Sequence, residues 1–204
     1  MPIIAKESGG EFIIAPEGTH IAICSGVIDL GTHAGEYMGK PRNRRMVRIV
    51  WELPDELLEG GSGEATPMTV AKHYTLSLSE KAALRHDLES WRGRAFTPEE
   101  CAGFDIAKLA GVPCLLTVVH EKKADKTYAN IKTVSKVPKG TTVKQPFSQV
   151  VVYSVDEGRN AIFKAFPEWL QKKIGECAEF NTAHPRQGGE HYEHSTRPDG
   201  EPPF

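Results

Sequence analysis

Four cysteines in 204 residues, Cys24, Cys101, Cys114 and Cys177, are scattered with no CxxC pair. That spacing argues against a disulfide framework and a thiolate zinc site, and leaves reduced thiols. No apolar run reaches about 18 residues, so no helix is expected to span a bilayer. The opening residues lack a basic segment followed by an apolar one, so no secretory signal is expected and the cytoplasm is the expected compartment. Cationic excess is missing too: 25 Lys and Arg stand against 27 Asp and Glu, a formal net charge of -2. This excludes a protein that coats a polyanion through bulk charge, and charge must be sought locally. The remaining composition, 39% hydrophobic and 25% charged, suits a soluble globular chain.

Apolar patterning divides the chain. Residues 21–30, rich in Ile and Val and closed by Gly31, read as a buried strand, and residues 31–45, with three glycines and Pro41, as a long loop. Residues 44–53 alternate, which places Val47, Ile49, Trp51 and Leu53 on a core face and Arg44, Met46, Arg48, Val50 and Glu52 on a second, basic face. A Gly-rich acidic connection over 55–67 precedes a third strand over 69–78. Ser79 is placed to cap a helix whose Leu84, Leu88 and Trp91 form one stripe and which Gly93 ends; Trp51 and Trp91 are both assigned to the core. Thr97 to Glu100 form a capping box, and Asp105 caps a short turn. Residues 112–120 and 128–137 read as two strands joined by a charged hairpin loop over 121–127.

Strand, loop, strand, strand, helix, strand, strand is the order of the OB-fold, a five-stranded Greek-key barrel with a helix between strands 3 and 4. An unrelated five-stranded barrel gives the same order. The expected organisation is an N-terminal extension (1–18), an OB-fold nucleic-acid-binding domain (19–145), a C-terminal helical extension (146–179) with helices over 156–166 and 167–174, and a disordered tail (180–204).

Charge collects in two places. Residues 36–48 carry Lys40, Arg42, Arg44, Arg45 and Arg48 against Glu36. Residues 120–144 carry Lys122, Lys123, Lys126, Lys132, Lys136, Lys139 and Lys144 against Glu121 and Asp125. In an OB-fold these stretches are the loops and strand faces that grip a nucleic acid strand. Alternation in the last strand puts Tyr128, Asn130, Lys132 and Lys136 on one face, an aromatic surface for base stacking among cations for phosphates, and Tyr37 sits in the same kind of company. A lysine-rich hairpin can also be a plain soluble edge.

Catalytic motifs fail at residues their chemistry needs. Residues 35–40 resemble a phosphate loop, but it is one residue short and followed by Pro41. His120-Glu121 opens like a zincin motif, with Ala124 where the second His belongs. His191 and Glu193 have deaminase spacing, but Pro113-Cys114 is followed by Thr117 in place of the second Cys. No enzyme activity, metal or cofactor is expected.

The chain ends in Asp199, Gly200, Glu201, Pro202, Pro203 and Phe204. In this it resembles the single-stranded DNA-binding protein family of bacteria and their phages, whose tails close on acidic residues and a terminal Pro-Phe. It departs in having only two acids, split by Gly200, and Pro202 where an aliphatic residue is usual. Residues 73–78 (HYTLSL), 91–97 (WRGRAFT) and 103–105 (GFD) resemble phage-encoded members over roughly residues 19–140. The resemblance implies a non-enzymatic protein that coats single-stranded DNA in replication or recombination, in the host cytoplasm if phage-encoded. It also implies partner proteins that read Asp199, Glu201, Pro203 and Phe204, and a possible homo-oligomer. The alternative is a phage protein-interaction module that uses the basic stretches to dock protein.

Overall fold

A computed structural model describes residues 13–59, 65–124 and 126–181. Strand β1 (Gly18–Tyr37) pairs antiparallel with β2 (Lys40–Glu59) from Ile23↔Glu52 to Tyr37↔Lys40. The turn is Met38-Gly39, both at positive φ (51° and 74°), as a two-residue hairpin with the right strand twist requires. The loop expected over 31–45 is therefore a hairpin ribbon. Its strands escaped the sequence pattern because both faces are largely exposed near the tip, so no apolar alternation marks them.

β3 (Ala65–Thr75) pairs antiparallel with β2, whose irregular register between Leu53 and Leu57 replaces much of the connection expected over 55–67. Helix α1 (Ala83–Arg92) buries Leu84, Leu88 and Trp91 and ends at Gly93, in the left-handed region. Ala82 stands at its N-cap without a side-chain bond; Ser79 instead accepts the Ala82 N–H on its carbonyl at 2.9 Å, closing a turn one residue earlier. The capping box opens α2 (Pro98–Ala102), and Asp105 caps a 3₁₀ turn at Ile106–Leu109. β4 (Pro113–Lys123) and β5 (Lys126–Ser135) pair as far as Lys123↔Lys126, so the expected hairpin loop is mostly strand.

The sheet order is β3-β2-β1-β4-β5. β1 pairs with β4 through Gly18–Ile23 and with β2 from Ile23 onward, and its register with β2 shifts at Cys24/Gly26 and Asp29/Gly31. β3 and β5 approach each other to within 8 Å between Cα atoms, so the sheet curls on itself, and α1 packs against both. A sixth strand joins the five expected: β6 (Val151–Tyr153) runs parallel to Gly26–Ile28 of β1 and is too short to show a pattern in sequence. A 3₁₀ turn (Val155–Glu157), then α3 (Ala161–Ala165), α4 (Glu168–Gly175) and α5 (Ala178–Asn181) follow, with Gly158 interrupting the single helix expected over 156–166. No helix among the described residues is long and apolar enough to cross a membrane.

Two apolar clusters hold the fold. The inner one lies within the curl and contains Val47, Ile49, Trp51 and Leu53 with Leu84, Leu88 and Trp91; the two tryptophan rings stand 5.8 Å apart. The outer one packs Ile28 and Leu30 against Tyr153, Phe163, Leu170 and Ile174, with Met46 and Val50 of β2 at its margin. The second face of β2 is thus basic only in part. Glu52 on that face is fully buried, its carboxylate accepting the N–H groups of Phe147 and Ser148 at 2.7 and 3.1 Å.

Residues 146–179 lie on the sheet as the lid of this outer core. Phe180, expected to begin the tail, packs edge-on against Phe163 at 6.0 Å. The Glu179 carboxylate accepts from the N–H and hydroxyl of Thr32 at 2.8 and 2.7 Å. The rest of the tail, residues 182–204 with Asp199, Glu201, Pro203 and Phe204, lies outside the described residues.

Each core has a sensitive position. Trp51→Ala should lower unfolding free energy by about 3–5 kcal/mol in urea melts. Gly31 has φ +77°, and a Cβ there would stand 2.5 Å from Cys177 Cβ. Gly31→Ala should cost about 2–4 kcal/mol from backbone strain and overpacking, with loosening of α4 and α5 visible first in hydrogen exchange.

Candidate nucleic-acid interface

Alternation along β2 places Lys40, Arg42, Arg44, Met46 and Arg48 on one face, and Met46 marks it as the face turned to the outer cluster. Lys40 and Arg42 are exposed on the ribbon. Arg44 is partly covered, its Nη2 donating to the Glu36 carbonyl at 2.9 Å. The Tyr37 backbone ends β1; its side chain lies outside the described part of the structure.

Arg45 belongs to a different environment. Its Nη2 donates to Asp29 at 2.5 Å and to Asp156 at 3.2 Å, and its Nε to Asp29 at 3.3 Å. The Asp29 hydrogen bond drives its pKa still higher, and the guanidinium is held by buried Asp29 and exposed Asp156. The expectation that Arg45 faces a polyanion is corrected accordingly: it shares the parity of Val47, not of Arg44.

Arg48 lies under the C-terminal helices. Its Nη1 is 3.1 Å from His73 Nε2, and its guanidinium stands 5.0 Å from the centre of the Trp169 ring. Burial lowers the Arg48 pKa. Burial first, then the charges of Arg48 and Lys173, lower the His73 pKa, and because a guanidinium only donates, His73 Nε2 is the acceptor of this bond. Beside these groups a cleft of about 480 Å³ opens between the sheet and α4, lined by Leu30, Arg44, Met46, His73, Trp169 and Lys173 among others. Trp169 is 53% exposed.

The second basic stretch is a hairpin end. Lys122, Lys123 and Lys126 are exposed, with Lys123 Nζ 3.6 Å from Glu121. Asn130 is tied to Glu121 at 2.6 Å. Tyr128, 45% exposed, edges a groove of about 900 Å³ between β3 and β5, with Ile13, Met68 and Val70 among its apolar lining. The expected common face of Tyr128, Lys132 and Lys136 does not survive. The register shifts between Thr117↔Thr133 and Val118↔Ile131, leaving Lys132 as the extra residue of a bulge. Val134 is therefore buried, and Lys136 lies against the end of α1, its Cδ 3.0 Å from where a Gly93 Cβ would be.

The β1–β2 turn and the β4–β5 hairpin lie near opposite ends of β1. β3 bridges them: Thr69 and Ala71 line the groove that holds Tyr128, while His73, next in the same alternation, lines the cleft that holds Trp169. The groove at Tyr128 and Lys126 and the cleft at Arg44 and Trp169 are thus lined by neighbouring parts of β3. His73, Trp169 and Lys173 were missed in sequence. The available signal was the spacing in α4: Leu170 and Ile174 are its buried pair, which sets Trp169 and Lys173, also four apart, on the adjoining face.

Among the described residues no three His, Cys, Asp or Glu side chains gather as a metal site. No family model and no curated protein sequence matches the chain.

His73 gives a pH signature. Its folded pKa lies below the ordinary 6.5, so the unfolded chain takes up the proton first as pH falls. This part of stability is present above pH 6.5 and is lost as pH drops through that value toward the folded pKa. A phosphate in the cleft would offset Arg48 and Lys173 and favour the protonated ring. Between pH 7.5 and 5.5 the melting temperature should fall less in His73→Gln than in wild type.

Proposed function

We propose that this protein is a non-enzymatic single-stranded DNA-binding protein built on an OB-type barrel. The strand order, the helix between β3 and β4, and the approach of β3 to β5 support the barrel assignment. The observation that carries the function is the gathering of Arg44, His73 and Lys173 with the half-exposed Trp169 around one cleft, on the face of β2 whose alternation also carries Lys40, Arg42 and Arg48. Cations spaced two residues apart hold a sugar-phosphate backbone, and exposed aromatic rings on either side of β3 stack bases without choosing among them. A strand with separated bases uses both features, whereas a duplex hides its base faces. In this reading the protein coats DNA during replication or recombination in the cytoplasm. The tail residues Asp199, Glu201, Pro203 and Phe204 recruit partner proteins of those processes.

Fluorescence polarisation of labelled oligo-dT, against duplex DNA and RNA of equal length, tests the function. Binding should favour oligo-dT, be largely indifferent to base sequence, and weaken with a log K against log salt slope of roughly -3 to -4 for about 4–6 neutralised phosphates. Arg48→Ala and Arg42→Ala should each reduce affinity and flatten that slope, while Arg45→Ala should chiefly lower the melting temperature. A slope near zero, or equal affinity for duplex, would overturn the assignment.

A further inference from the structure

We propose that the cleft beside Trp169 is a subsite for a single unstacked nucleobase and its adjoining phosphate. The proposal rests on the single-stranded DNA function above and assigns the stacking role to a helix outside the five-stranded barrel. Size is the first argument. The cleft offers approximately 480 Å³. A cavity of this volume lies within the range of small-ligand sites.

Lining chemistry is the second argument. Leu30 and Met46 supply apolar walls, and Arg44, His73 and Lys173 supply donors, while none of the described lining residues is acidic. An apolar, cation-rimmed slot fits a flat aromatic heterocycle that bears an anion at its edge. A carboxylate peptide offers the anion without the flat face, and an apolar peptide the reverse.

Trp169 supplies the third. Of the three tryptophans, Trp51 and Trp91 are buried in the inner core, and Trp169 alone is exposed. The Arg48 guanidinium lies over its ring at 5.0 Å, yet Arg48 is not among the described residues lining the cleft. The ring thus borders both the Arg48 guanidinium and the cleft. A base entering there stacks on a ring already polarised by Arg48, with its phosphate within reach of the cationic rim. Entry requires that the base leave its neighbours, which favours single strands over duplex at this point.

The test uses the full chain, oligo-dT, an abasic deoxyribose-phosphate strand of equal length, and free dTMP. Oligo-dT should quench the tryptophan fluorescence of wild type, and this quenching should vanish in Trp169→Phe, which retains an aromatic surface and most of the affinity. Trp169→Ala should bind oligo-dT about tenfold more weakly and the abasic strand as wild type does. Equal losses on both strands would overturn the base subsite, because Trp169 would then only position Arg48. Unchanged oligo-dT affinity in Trp169→Ala would overturn it as well. Saturation by dTMP at concentrations similar to the oligonucleotide would mark a free-nucleotide site and refute a subsite of a bound strand. Failure of wild type to bind oligo-dT at all is a different result, which removes the parent function along with the subsite.

Discussion

The Asp29 carboxylate is the point on which the arrangement turns. It is almost wholly buried, and it accepts from the Gly31 N–H, from Arg45 on β2 and from the Val155 N–H. One side chain thereby fixes the irregular register of β1, the base of the exposed ribbon and the segment that leads into the C-terminal helices. A buried carboxylate without these donors is costly, so the three contacts stand or fall together. Arg45 is held by Asp29 and Asp156, whereas Arg42, Arg44 and Arg48 share the alternate face of β2.

β1 and β2 consequently carry apolar material on both faces. The inner face builds the tryptophan core, and the outer face receives α3, α4 and α5, with Gly31 permitting Cys177 to come close and Glu179 holding Thr32. The C-terminal helices do more than cover the sheet. By burying Leu170 and Ile174, α4 sets Trp169 over Arg48 and Lys173 near His73, and so converts a flat basic strand face into a walled cleft. A cation in such a half-buried setting interacts with an anion more strongly than one at an open surface, because less water screens it.

The two basic stretches differ in kind. On β2 Lys40, Arg42, Arg44 and Arg48 lie on one face, and Arg44 lines the cleft. On the β4–β5 hairpin they cluster at an open end, where Lys132 is displaced by the bulge and Lys136 is drawn to the end of α1. The hairpin therefore carries diffuse positive charge and one half-exposed ring, Tyr128, while the walled cleft lies on the β2–β3–α4 side.

Local signals in the sequence determined the elements with strong short-range chemistry. The Thr97–Glu100 capping box, the Asp105 cap, the Gly93 stop and the alternation of Val47, Ile49, Trp51 and Leu53 each depend on neighbours within a few residues, and each stands in the structure as the pattern implied. Strand existence was legible wherever one face was apolar. It failed in the ribbon over 31–45, where two wet faces leave no alternation for a sequence pattern to show. Tertiary structure decided the rest. A single extra residue at Lys132 reversed the facing of Lys136, and a carboxylate sixteen positions away claimed Arg45. Trp169 became part of a candidate site only because α4 came to rest on a strand more than a hundred residues earlier in the chain. Parity and capping are properties of adjacent residues, but which face of a strand stays in water depends on what the remainder of the chain packs against it.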